Sequence, residues 1–142
     1  MKFVNVTNHQ LTQEQRHVVE AAGFEVIELP QELKKYWGAV DPEARTDQIK
    51  KELRPFINFI IDQRDRFGEV VVLVQGETTS TFLLVDMLLG MDDVIPVAAT
   101  TKRQTAFKID ENGAVTKTSK FCHVRFRSYS LVGELRLAEL GL

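Results

Sequence analysis

Three clusters hold the residues in this chain best suited to chemistry: Thr7-Asn8-His9-Gln10, Gln75-Gly76-Glu77-Thr78-Thr79-Ser80 and Thr100-Thr101-Lys102-Arg103. Hydroxyls and amides can position a phosphate or a sugar, and a histidine titrates near neutral pH. Lysine and arginine meet anionic oxygens through charge-assisted hydrogen bonds. A fourth group, His123, Arg125 and Arg127, alternates at period two and would share one face of a strand. The ligand these types suit is phosphorylated. Each group also has a plainer explanation. Thr78, Thr79 or Ser80 would cap a helix, Thr7 and Asn8 would satisfy a turn, Lys102-Arg103 would be a solvated turn, and cations on an edge strand guard against edge pairing.

The clusters matter because of what precedes them. Phe3-Val4-Asn5-Val6, Val70 to Val74 and Val94 to Ala98 are apolar runs that each stop at one of the three clusters. Runs of this kind are expected of strands buried on both faces of a parallel sheet. Parallel alignment would bring all three clusters to one edge, where open α/β sheets bind ligands. Gly76 would let a ligand approach the backbone, and the helix after it would offer its N–H groups to an anion.

The rest of the chain supplies the alternation such a sheet needs. Thr12 and Gln15 form a capping-box pattern ahead of a helix that ends at Gly23. Phe24 to Leu29 reads as a second strand, stopped by Pro30, and a less regular stretch follows. Pro42 is expected to open a long helix to about Arg66, kinked or split at Pro55. A further helix runs from about Thr79 to Gly90. Asn112-Gly113 between two alternating segments predicts a hairpin, Phe121 to Arg127 a last strand, and Leu131 to Leu142 a short helix. The predicted fold is α/β, a Rossmann-like, mostly parallel sheet flanked by helices with a C-terminal antiparallel hairpin. It is read as one domain: a core over residues 1–100, hairpin and edge strand over 101–130, and a tail helix over 131–142.

Composition narrows the function. The chain has 142 residues, 18 basic and 20 acidic, for a net charge of −2. No global positive field exists to hold long nucleic acid, so an anionic ligand needs a local site. The single cysteine, Cys122, cannot form an internal disulfide and is read as a core residue. No long apolar segment or signal peptide is read, so the expected setting is the cytoplasm, with no membrane partner. No metal-binding motif is present, nor a Gly-x-Ser-x-Gly nucleophile, and no cofactor is expected.

The opening strand with Thr7 to Gln15, the segment Val94 to Arg103, and Lys120 to Arg127 resemble small standalone CRISPR-associated ring nucleases with a CARF-like Rossmann fold. The resemblance spans most of the chain but is thin from Pro30 to Arg66. It implies a homodimer that binds a cyclic oligoadenylate, cyclic tetra-adenylate ahead of the hexamer, across its two-fold axis. It implies metal-independent cleavage to linear products with a 2′,3′-cyclic phosphate, which switches off type III CRISPR signalling. A non-catalytic sensor or sponge for the same messenger is the alternative. On chemistry and placement, Lys102 and Arg103 are the expected charge stabilisers and His9 the expected general acid or base, with His123 its competitor. Thr7, Asn8, Gln10, Gly76, Glu77, Thr78, Thr79, Ser80, Thr100, Thr101, Arg125 and Arg127 would bind the substrate.

Overall fold

The computed structural model describes every residue from Met1 to Leu142. In chain order the elements are β1 (Lys2–Val6), α1 (Gln13–Ala21), β2 (Glu25–Glu28), α2 (Gln31–Gly38), α3 (Thr46–Glu52), α4 (Arg54–Phe67), β3 (Val70–Val74), α5 (Thr78–Leu89), β4 (Val94–Ile109), β5 (Val115–Ser128) and α6 (Leu131–Leu140). The strands form one sheet of order β2-β1-β3-β4-β5. The first four are parallel, and β5 runs antiparallel to β4. The Rossmann-like α/β architecture expected from the alternation is the one observed.

The sheet is buried on both sides because its central strand β3 carries an apolar side chain at every position. On one face α2 to α5 cover Val4, Val6, Val70, Val72 and Val74, with Trp37, Leu53, Phe56 and Ile60 filling the space. On the other, α1 and α6 cover Phe3, Val71, Leu73, Ile95 and Val97. Within β1, Asn5 is the one buried polar side chain, at 1% exposure.

Three local expectations are revised. The stretch after Pro30 is the regular helix α2, because Trp37 is buried in the core with Leu33 and Tyr36 packed beside it. The long helix begins at Thr46 rather than Pro42, and it is split in two, as Pro55 predicts. The break at Leu53 puts Pro55 within the first turn of α4, where its missing N–H costs nothing. The third revision is the largest. β4 does not turn at Thr100 but continues to Ile109, pairing with β5 in register from Val97↔Ser128 to Ile109↔Val115. The stretch Thr100 to Ile109 holds no Gly or Pro and includes Thr100, Thr101, Thr105, Phe107 and Ile109, residue types that favour a strand. The hairpin closes at Asp110–Gly113 as expected. The Asp110 carboxylate accepts from the N–H groups of Asn112 and Ala114, and Gly113 adopts φ +77°.

The base of this hairpin is locked to the body by Phe126, which is 1% exposed and packs on Phe3 with ring centroids 5.0 Å apart. Phe126→Ala is expected to cost about 3–5 kcal/mol, as for other fully buried aromatics. Urea unfolding measures it, and a loss below about 1 kcal/mol would show that the base is held by other contacts.

Candidate functional site

β1 and β3 end side by side, with Val6 opposite Val74, so the residues that follow them meet at one edge of the sheet. There the loop Thr7–Thr12 faces Gln75 and Gly76 across an open cleft of about 450 Å³, floored by Leu11 and Leu73. Seven of the ten lining residues carry hydrogen-bonding side chains: Thr7, Asn8, His9, Gln10, Thr12, Gln15 and Gln75. None of the ten is a cation.

The loop is held by residues buried beneath it. Asn5 Nδ2 donates to the His9 carbonyl at 2.7 Å and to both Glu28 carboxylate oxygens at 3.3 and 3.1 Å. Thr7 Oγ1 lies 2.8 Å from Asn5 Oδ1, 2.8 Å from the His9 carbonyl and 3.2 Å from the His9 N–H. Thr7 is thus part of the framework that fixes His9. Asn5 escapes a motif search, yet an asparagine in an otherwise apolar run was the available signal, because a polar group buried in a sheet must find partners. The His9 side chain is exposed at the rim of the cleft. Thr12 and Gln15 make the expected reciprocal cap of α1, which closes the loop's far end.

On the opposite wall, the Gln75 side chain continues the sheet where β3 stops. Its amide pairs with the N–H and carbonyl of Ala99, both at 3.3 Å. Gly76 lines the cleft, and packing alone already requires a glycine there. A Cβ there would lie 2.5 Å from Trp37 Nε1, and that indole donates to the Gln75 carbonyl at 2.9 Å. The N-terminus of α5 is also occupied. Glu77 accepts from the N–H groups of Thr79 and Ser80 at 2.9 and 2.8 Å and from the Ser80 hydroxyl at 2.8 Å. Those bonds hold the Glu77 carboxyl below the usual carboxylate range. The anion at this helix end is the chain's own, and Ser80 is fully buried. Thr78 opens toward a neighbouring hollow with Phe82 and Tyr129.

The other expected site residues lie on the hairpin. Thr100 donates its hydroxyl to the Arg125 carbonyl at 3.0 Å. Thr101, Lys102 and Arg103 are exposed strand residues, opposite His123, Cys122 and Phe121. Neighbours along a strand point to opposite faces, so Lys102 and Arg103 do not converge on one ligand from the same protomer. Cys122 is correspondingly half-buried on the ribbon rather than in the core.

The stripe His123, Arg125, Arg127 is interrupted by a register shift between Thr100 and Thr101, which leaves Val124 unpaired. His123 turns to the buried side and stacks on Phe126 at 4.7 Å, while Arg125 pairs with Glu134 of α6. Neither His123 ring nitrogen has a partner, and the Glu14 carboxylate accepts from its backbone N–H at 3.0 Å. Nowhere does the fold gather three or more His, Cys, Asp or Glu side chains in a metal-ligand group.

Residues 1–127 match the uncharacterized protein MJ1673 family. The chain belongs to that family. The match takes in every part of the cleft and both strands of the hairpin up to Arg127, and it ends before α6. No curated protein and no solved structure matches the chain. No helix of this MJ1673-family chain is long and apolar enough to cross a membrane.

Burial pushes the His123 imidazole below its ordinary value of 6.5, against a smaller opposite pull from Glu14. Between the two values the unfolded chain binds a proton that the folded one does not. Stability present above about pH 6.5 is therefore lost as the pH falls through that value toward the folded one. His123→Phe removes this titration while keeping a ring on Phe126. Its urea midpoint relative to the parent chain should rise as the pH drops below 6.5, and a pH-independent difference would contradict the assignment.

Proposed function

We propose that this chain binds a cyclic oligoadenylate at the edge cleft and opens it, acting as a ring nuclease. The observation that carries this is the cleft's lining. Amides, hydroxyls and one imidazole converge where parallel α/β sheets take their ligands. The resemblance to CARF-like ring nucleases adds the ligand class. At about 450 Å³ the cleft is near the lower end of small-molecule sites, roughly 300–1,000 Å³. It would hold part of a cyclic tetra-adenylate, and two clefts related by a two-fold axis would hold the ring.

In the proposed reaction a ribose 2′-oxygen attacks the adjacent phosphorus in line, losing its proton. The phosphorus–O5′ bond breaks, and the leaving oxygen gains a proton. The products end in a 2′,3′-cyclic phosphate and a 5′-hydroxyl, with no water consumed and no metal required. Asn8, Gln10, Thr12 and Gln75 would position ribose and phosphate. His9 at the rim would move the proton, since the His123 ring is engaged with Phe126. The cleft lacks a cation of its own, so charge on the pentavalent phosphorus falls to the hairpin, through Arg103, since Lys102 lies on the opposite face of β4. Cleavage would lower the messenger and switch off type III CRISPR signalling. One observation favours the binding-only alternative: no protein group hydrogen-bonds the His9 imidazole to orient it.

The test is incubation with cyclic tri-, tetra- and hexa-adenylate in excess EDTA, read by mass spectrometry. Linear fragments ending in cyclic phosphate are expected. His9→Ala should slow cleavage by about 100-fold or more while sparing binding. Arg103→Ala should weaken binding. Intact rings with a rise in melting temperature would indicate a sensor or sponge, and no cleavage with no shift would overturn both readings.

A further inference from the structure

Beyond Thr100 the hairpin leaves the body as a two-stranded ribbon, Thr101–Ile109 against Val115–His123, with almost every residue exposed. Nine strand residues reach about 30 Å, comparable with the width of a body of this length. A ribbon with water on both faces is marginal by itself. This one also carries an apolar stripe. Phe107, Ile109, Val115 and Phe121 are 66%, 75%, 63% and 67% exposed. The pairings Arg103↔Phe121, Phe107↔Lys117 and Ile109↔Val115 put all four on one face. A stripe of this kind marks a surface that is covered in the working molecule.

Charge points to what covers it. Residues 101–123 contain five cations and two carboxylates, a net +3, which leaves −5 on the rest of a chain whose total is −2. Among the ion pairs of the fold, Lys102, Arg103, Lys108 and Lys117 have no carboxylate partner, and only Lys120 reaches one, Glu14 at 3.9 Å. A basic, apolar-striped arm on an acidic body is complementary to a second copy of itself. The body offers exposed apolar residues to match, with Phe82 and Tyr129 lining one hollow and Tyr129 and Leu131 the next. The neutral cleft is the remaining observation. The root of its own arm brings only Arg103 to the side on which the cleft opens, since Thr101, Arg103 and His123 share that face.

Resting on the proposal that the cleft takes a phosphorylated ligand, we infer that the arm of each chain lies over the cleft of a second copy. There Lys117, far out on the arm and on its apolar-striped face opposite Phe107, supplies the cation the cleft lacks. Each site then combines His9 and Arg103 of one protomer with Lys117 of the other, and neither protomer holds a complete site.

The test mixes equal parts of unlabelled and ¹⁵N-labelled chain, joins lysines to carboxylates with a carbodiimide, and reads the isotope pattern of each cross-linked peptide. Cross-links from Lys117 to Glu14 or Glu77 with mixed isotopes are expected. Same-isotope links only, or a monomer in sedimentation, would overturn the inference, as would an arm that instead captures RNA as a monomer. This readout needs no ligand, so it is separate from the ring-nuclease proposal. Phe107→Ser with Phe121→Ser should shift the dimer to monomer without lowering the melting temperature of the body. Lys117→Ala should weaken binding of cyclic tetra-adenylate about tenfold or more, whereas Lys108→Ala, on the opposite face of the arm, should leave it unchanged. Unchanged binding in the Lys117→Ala chain would overturn the role given to that lysine even if mixed cross-links form. A parent chain that binds no ring would remove the ligand proposal and the role of Lys117, while mixed cross-links would still mark the dimer.

Discussion

The structure depends on one strand that cannot tolerate an edge. Every side chain of β3, Val70 to Val74, is buried, at 2% exposure or less. A strand with no polar face must be flanked by strands and covered by helices on both sides. That places β1 and β4 beside it and α1 and α6 opposite α2 to α5. Once β1 and β3 are parallel and in register, Thr7 and Gln75 emerge at the same edge. The cleft is a consequence of that burial more than of any local motif.

Neighbouring strands of unequal length set the second constraint. β3 stops at Val74 while β4 runs far beyond it, so the sheet sheds its neighbour and becomes a ribbon. Gln75 softens the step by pairing its amide with Ala99, and the register shift after Thr100 bends the hairpin so that His123 meets Phe126. Tyr129 ties the return of the chain to the end of β3, donating its hydroxyl to the Val74 carbonyl at 2.9 Å. The polar edge, the arm and the body are thus joined by a few specific bonds at one place.

Much of this was legible from residue types. The runs at β1, β3 and β4, the reciprocal cap of Thr12 and Gln15, the break forced by Pro55 and the turn at Asn112-Gly113 each have a short-range cause. What was not legible is non-local. Gly76 looked like a ligand contact, and its constraint comes from Trp37, whose indole bonds the preceding carbonyl from 38 residues away. Thr79 and Ser80 looked free to bind an anion, but Glu77 beside them already does so. Thr100 to Arg103 looked like a strand end because a sequence carries no local sign of where a neighbouring strand stops. The stripe of His123, Arg125 and Arg127 assumed an unbroken period of two, and a single extra residue undid it.

The central claim is that the edge between the Thr7–Thr12 loop and Gln75 is where a phosphorylated ligand sits. A crystal structure of the His9→Ala chain grown with cyclic tetra-adenylate tests it most directly. The account predicts nucleotide density against Asn8, Gln10 and Gln75, with one ring shared by two clefts. Density confined to another surface, such as the hollow lined by Lys50, Lys51 and Arg54, would contradict it, as would a cleft left open at saturating ligand.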